Sequence, residues 1–178
     1  MSRWQRMLRR LTGGQDLPSG FGGAFDPGER MIAVAELAGA GHLVLTQFGV
    51  WVPEGEQVRR VGWHLVSKAV WDRSSLLLTE AVSTGTAGEA VLLSDLPPRR
   101  FTLTEPGRVP EEVRDRVTRS IRVSQYLELP GGGAWFVQRK IPGRDGVVLQ
   151  VRADPGTSAE AVARAADEVA ERLLSSSG

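Results

Sequence analysis

The stretch HLVLTQFGVWVPEGEQVRRVG, residues 42–62, contains three short runs of apolar and β-branched residues, separated by glycine, proline and polar turn residues. Runs of this composition predict β-strands at 43–46, 49–52 and 58–62. The breaks between them are only a few residues long, which favours antiparallel neighbours joined by tight turns. This part of the chain therefore predicts an antiparallel meander.

The same strand periodicity continues on both sides of this stretch. It predicts further strands at 30–37, 68–72, 76–82, 90–93 and 99–104. Pro110 and Glu111 then favour the first turn of a helix, because proline needs no donor there and a carboxylate stabilises the positive end of the dipole. Val113, Val117 and Ile121 recur every four residues, so one helix is expected to cover the sheet.

The C-terminal part of the chain predicts a hairpin and a helix. Two strand-like runs at 134–140 and 147–152 are joined by a loop that contains glycine and proline. Thr157 and Glu160 form a capping-box pattern in front of apolar residues with helical spacing. Those apolar residues are Val162, Ala165, Ala166, Val169 and Leu173.

Together these patterns predict an α+β fold, an antiparallel sheet or partly open barrel with a covering helix, followed by the hairpin and an amphipathic helix. Four segments are expected: a basic amphipathic segment at 1–13, a glycine- and proline-rich linker at 14–28, the β domain with its helix at 29–124, and a hairpin–helix extension at 125–178 packed on that domain.

Composition narrows the function classes. The 178 residues carry 22 lysines and arginines against 21 acidic residues, a net charge of +1, which argues against nucleic acid as a partner. The chain has no cysteine, which excludes disulfides, thiolate metal sites and cysteine nucleophiles and favours an intracellular location. No stretch approaches the ~20 apolar residues of a membrane-spanning helix. A cytoplasmic protein is expected, with peripheral contact at the inner membrane face as an extension of that prediction.

The segment 1–13 is short, basic and amphipathic. An apolar stripe flanked by positive charge is typical of helices that lie on anionic membranes. Short ends of this kind also pack on their own domain or fray, and that alternative is open. The candidate membrane-contact residues are Arg3, Trp4, Arg6, Met7, Leu8, Arg10 and Leu11.

Residues 26–121 resemble bacterial pleckstrin-homology-like and GRAM-like domains. The resemblance rests on strand patterns: DPGER at 26–30, HLVLTQFGVWV at 42–52, RRVGWHLVSKAVW at 59–71, SLLLTEA at 75–81, RRFTL at 99–103 and EEVRDRVTRSI at 111–121. It implies a domain that binds phosphoinositides, peptides or partner proteins rather than an enzyme. The stretch WFVQRKIPGRDGVVLQVRADPGT, 135–157, is also similar to small proteins of high-GC bacteria, a resemblance that carries no activity.

The C-terminal hairpin is the candidate binding surface. If Trp135 and Val137 point into the core together with Leu149 and Val151, the opposite face of the sheet is polar and positive. Such a face suits a phosphate, a lipid headgroup or an acidic partner, although a merely solvated face is the alternative. The candidate binding residues are Arg139, Lys140, Arg144, Gln150 and Arg152. A partner strand adding to an exposed edge of this hairpin, 134–152, is a second mode.

The large aromatic residues are assigned to the core. Trp51, Trp63, Trp71 and Trp135 all lie in strand-like runs, where an indole contributes much apolar area. A carbohydrate-binding platform would need them to be exposed.

An enzyme is the alternative from another class. His64, Ser67, Lys68 and Asp72 lie close together in WHLVSKAVWD, 63–72. Strand alternation puts His64 and Ser67 on opposite faces, and no nucleophile-elbow motif accompanies them. We therefore assign no catalytic residue, no metal and no cofactor. The expected function is a noncatalytic binding or scaffold module, with a protein or an anionic membrane surface as partner; the alternative is a small hydrolase or transferase that uses His64 and Lys68.

Overall fold

The computed structural model of the chain describes residues 16–176. They form an α+β fold rich in sheet. The strands are β1 Met31–Glu36, β2 His42–Thr46, β3 Gly49–Glu54, β4 Gln57–Gly62, β5 Val66–Asp72, β6 Ser75–Ala87, β7 Ala90–Asp95, β8 Arg99–Thr102, β9 Ile121–Leu129, β10 Gly132–Lys140 and β11 Val147–Ala153. The helices are α1 Val109–Ser120 and α2 Ala159–Ser175, and Trp63–Leu65 forms one 3-10 turn.

The first sheet is an antiparallel meander in the order β1-β2-β3-β4, as the opening stretch of sequence predicts. Strand β8 lies beside the end of β1, because Leu37 and Leu103 form a bridge and the Thr104 amide donates to the Glu36 carbonyl at 2.9 Å. Since β8 also pairs with β6, the sheet curls over a single apolar core.

Strand β6 connects the two halves of the fold. Its first residues pair with β5 on one side and β8 on the other, and its last residues pair with β7. Beyond β7 the sheet continues through a parallel contact with β11 and then antiparallel through β10 to β9. The second half therefore shares a sheet with the first and has its own core under α2.

Helix α1 covers the first core with Val109 and Val113, both fully buried. It ends one residue earlier than its apolar spacing suggests: Ile121 begins β9 and is 41% exposed. Strand β9 is absent from the sequence-based assignment, because the period Val113, Val117, Ile121 continues the helix across its true end. The predicted segment boundary at 124 falls inside this strand.

Helix α2 buries the predicted stripe of Val162, Ala165, Ala166 and Val169. The predicted cap is wrong, because Ser158 and not Thr157 accepts from the helix, at 3.3 Å from the Ala161 amide. The Thr157 hydroxyl instead bonds with the amide and carbonyl of Gly133.

Residues of the predicted linker pack on the first sheet. The rings of Phe21 and Phe25 lie 5.6 and 5.8 Å from the ring of Trp51. Glu29, just after them, has a fully buried side chain that accepts hydrogen bonds from Thr46, Trp51 and Arg60. This stretch is therefore anchored at both its aromatic and its acidic residues.

Two of the four tryptophans assigned to the core are not there. Trp51 and Trp63 are buried, whereas Trp71 and Trp135 are exposed. The prediction fails for Trp71 and Trp135 because a strand in a run of apolar residues has a second face, and local sequence does not say which face is covered.

Candidate anion-binding cleft

Of the four residues of β10 and β11 that are predicted to point inward, Val137, Leu149 and Val151 are buried and Trp135 is not. Phe136 is 1% exposed and packs under α2 with Val151, while Trp135 is 48% exposed and lies 5.5 Å from the ring of Tyr126. Ala134, Trp135, Phe136 and Val137 are all apolar, so alternation within β10 does not choose between the two faces.

Arg139, a predicted surface residue, is 2% exposed. Its guanidinium donates to the carbonyls of Trp63 and Val66, both at 2.8 Å, and to Ser120 Oγ at 2.6 and 3.0 Å. Among the described residues it has no carboxylate partner. It joins the 3-10 turn and the start of β5 to the C-terminus of α1, where carbonyl groups and the helix dipole favour a cation.

Of the other predicted binding residues, only Lys140 and Arg144 are exposed. Gln150 is buried and donates to the His64 carbonyl at 2.7 Å. Arg152 pairs with Asp95 at 3.2 Å. The predicted free edge of the hairpin is also wrong, because β10 lies between β9 and β11, and β11 lies between β10 and β7.

Lys140 does contribute to a cleft of about 320 Å³ that the sequence did not reveal. The cleft lies between the β2–β3 turn, the C-terminal end of α1 and the loop that follows β10. We call it the basic cleft. Its lining residues are Gln47, Phe48, Trp63, Arg116, Arg119, Ser120, Arg122, Lys140, Pro142 and Gly143.

Four cations and no carboxylate line the basic cleft. Arg116 and Arg119 have acidic neighbours on α1, Glu112 at 3.9 Å and Asp115 at 3.4 Å. Both contacts are long, and the second is exposed, so they are weak ion pairs. Within residues 16–176, Arg122 and Lys140 have no acidic partner.

The wall of the cleft is fixed by a buried cation. Ser120 lines the cleft and accepts from Arg139 directly behind it. Burial lowers the pKa of Arg139 to about 10, with a smaller contribution from Arg152, so the group still carries its charge at neutral pH. Arg139 therefore adds positive potential to the cleft without reaching the solvent.

Among the described residues, no side-chain hydrogen bond or ion pair joins the four residues of the enzyme alternative to one another. Ser67 Oγ donates to Asp95 at 2.8 Å rather than to His64, and Lys68 is exposed on β5. His64 Nδ1 is buried and has no hydrogen-bond partner among the described residues. Asp72, the fourth member, contacts Arg100 at 3.5 Å.

His64 should make the stability of the protein depend on pH. Burial lowers the pKa of His64 below its usual 6.5, and the charges of Arg139 and Arg144 lower it further. In the window from 6.5 down to this lowered pKa, the unfolded chain takes up a proton that the folded protein does not. The free energy of unfolding should therefore fall as the pH falls through this window.

Urea unfolding of wild type and His64→Gln, measured above and below pH 6.5, checks this dependence. In His64→Gln the free energy of unfolding should depend less steeply on pH than in wild type. His42→Gln, which removes the other histidine of the chain, should keep the contribution of His64 to this dependence. Identical slopes for wild type and His64→Gln would contradict the prediction.

The candidate membrane segment, 1–13, lies outside the described residues. Within 16–176, no cluster of three or more histidine, aspartate or glutamate side chains is arranged to hold a metal ion. No helix in that range combines the length and apolar character needed to cross a bilayer.

Comparison of the chain with models of protein families, with curated proteins and with solved structures gives no match.

Proposed function

We propose that the protein is a noncatalytic binding module that holds an anionic, phosphate-bearing headgroup of a membrane lipid in the basic cleft. The observation that carries this proposal is the lining of the cleft: four basic side chains converge there and no carboxylate does. A volume of about 320 Å³ suits a small headgroup rather than a large ligand.

The types of cation support a phosphate. Arginine presents a planar set of donors that matches phosphate oxygens, and lysine adds a flexible point charge. Arg122 and Lys140 have no acidic partner among the described residues, so a ligand need not displace one. Arg116 Nε has no hydrogen-bond partner within the same range, and its neighbouring carboxylate, Glu112, lies 3.9 Å away.

A membrane source of this headgroup is consistent with the sequence of the segment 1–13, whose four arginines accompany an apolar stripe. A cleft for one headgroup and a basic amphipathic segment together would supply the two signals that stable peripheral binding requires. The pleckstrin-homology-like identity of residues 26–121 belongs to the same proposal. A curled antiparallel sheet followed by the covering helix α1 supports it.

Cosedimentation with vesicles of phosphatidylcholine, alone or mixed with phosphatidylserine, tests the proposal. Wild type should bind only the anionic vesicles, and salt should weaken binding. Each basic residue near an anionic surface contributes about 1 kcal/mol, so Arg122→Gln with Lys140→Gln should weaken binding roughly thirtyfold. Arg164→Gln, on α2 and away from the cleft, should leave binding unchanged.

Two further measurements distinguish a membrane lipid from a soluble anion as the ligand. A variant lacking residues 1–13 should bind the anionic vesicles more weakly while keeping its sensitivity to the cleft substitutions. Inorganic phosphate that binds the cleft without any vesicle binding would assign a soluble ligand and refute the membrane source. Vesicle binding that is lost with residues 1–13 but is indifferent to the cleft substitutions would refute the cleft.

A further inference from the structure

Strand β9 is an unpaired edge of the larger sheet. Eight of its nine residues pair with β10, and in the described part of the chain no strand lies on the other side. Ile121, Val123 and Tyr126 expose apolar surface there. A long edge of this kind, without proline or lysine, offers its free amide and carbonyl groups to another strand.

The sequence of β9, IRVSQYLEL, is self-complementary when it is paired antiparallel with a second copy. In the register centred on Gln125, the regular residues 123–127 all find a partner, and residues 121 and 122 lie at the irregularity of the ladder with β10. Val123 then faces Leu127 of the other copy, and the two-fold symmetry produces this apolar pair twice. Shifting the centre by one residue leaves strand ends unpaired and sets apolar residues opposite polar ones.

The charges of the strand select the same register. Arg122 lies at the irregularity of the ladder, near Glu128 of the second copy, and the two-fold symmetry produces this contact twice. Both side chains are exposed, and neither has an ion-pair partner among the described residues. The single irregularity of the ladder with β10 lies between Ile121 and Val123, so residues 123–129 form a regular edge and the long side chain of Arg122 flanks it.

From this complementarity we infer that β9 is a dimerisation edge, whose occupant is β9 of a second copy of this chain. The two seven-stranded sheets join into one, and the two-fold axis passes perpendicular to the sheet at Gln125. Both copies of α2 then lie on the same face of the continuous sheet, because such an axis preserves its faces. This inference does not depend on the proposed ligand of the basic cleft, although Arg122 also lines that cleft.

Cross-linking tests the register directly, since the chain has no cysteine of its own. In the proposed dimer Gln125 lies opposite Gln125 of the second copy, whereas the two copies of Val123 lie far apart. Under mild oxidation Gln125→Cys should form a disulfide-linked dimer, and the matched Val123→Cys should not. Equal cross-linking of the two variants, or none by Gln125→Cys, would overturn the inference.

Sedimentation velocity of the full chain, from micromolar to millimolar concentrations, tests the association and its ion pairs. Wild type should shift from monomer to dimer mass. Glu128→Arg should weaken the dimer roughly thirtyfold, because it sets like charges opposite each other twice. Arg122→Glu combined with Glu128→Arg should restore the dimer, and Glu56→Arg, in the β3–β4 turn, should not weaken it.

Hydrogen exchange gives a readout that needs no variant. The outward amides of β9 should become protected as the protein concentration rises. A wild-type protein that stays monomeric at all concentrations would refute the dimer. Protection of β9 that does not depend on concentration would refute it as well, because such protection comes from a segment of the same chain. Glu128 does not line the basic cleft, so the Glu128→Arg variant should still bind anionic vesicles. Vesicle binding by this variant therefore tests the cleft separately from the dimer.

Discussion

Replacing Glu29 by alanine should lower the free energy of unfolding by about 4 kcal/mol, the effect of breaking a buried ion pair by removing one partner. The side chain of Glu29 is 0% exposed. It accepts from Thr46 Oγ1 at 2.6 Å, from Trp51 Nε1 at 3.0 Å and from Arg60 at 2.5 Å. Alanine would leave these donors without their acceptor.

The position of these donors explains why the loss is large. Arg60 also pairs with Asp26 at 2.7 Å and lies over the rings of Phe48 and Trp51. Removing Glu29 therefore leaves a partly buried guanidinium with only a more exposed carboxylate, and it loosens the segment before β1.

Urea unfolding followed by circular dichroism measures this effect. Glu29→Gln, which keeps a carbonyl acceptor but loses the charge, should show an intermediate loss. Glu56→Ala removes an exposed glutamate from the β3–β4 turn and should stay within about 0.5 kcal/mol of wild type. A Glu29→Ala protein as stable as the Glu56→Ala control would contradict the role assigned to the buried carboxylate.

The second large effect is expected at Arg139, where alanine should cost about 3 kcal/mol. The substitution leaves the carbonyls of Trp63 and Val66 and the hydroxyl of Ser120 without their donor, and it opens a cavity between the two halves of the fold. Part of this loss is offset, because a buried cation without a carboxylate carries a desolvation cost, which is the cause of its lowered pKa.

The same unfolding measurement separates charge from geometry at this position. Arg139→Lys keeps the charge but cannot reach all of the acceptors, so it should recover only part of the stability. Arg144→Ala removes an exposed arginine from the loop of the same hairpin and should have little effect. If Arg139→Lys matched wild type, the charge alone would account for the stabilisation and the fork of hydrogen bonds would not.

The candidate site was harder to predict than the elements that carry it. Arg116, Arg119 and Arg122 recur every three residues, but basic residues near the C-terminal end of a helix are ordinarily explained by the helix dipole. Lys140 was chosen correctly as exposed, yet for a flat strand face rather than a cleft. Nothing in local sequence indicates that residues 18 positions apart, Arg122 and Lys140, line one cavity.

The burial of Arg139 is a further example of this limit. An arginine in a strand is normally assigned to the solvent face, because a charged group is seldom fully buried without a partner. Here its partners are carbonyl groups from a 3-10 turn and a helix end that lie far away in sequence. Every residue has a backbone carbonyl, so the amino-acid sequence does not indicate which carbonyls will accept hydrogen bonds from a buried side chain.

Local sequence patterns are enough to predict the strands of the first sheet, the covering helix α1 and the apolar stripe of α2. These depend on periodicity within a few residues, where alternation or helical spacing decides which residues share a side. Three features follow from the packing of the whole chain instead: Phe136 rather than Trp135 is buried, β9 is a strand at the edge, and four cations converge on one cleft. Each of these features depends on which other part of the chain packs against a given face of a strand or helix. Those contacts join segments that are remote in sequence, so local patterns do not predict them.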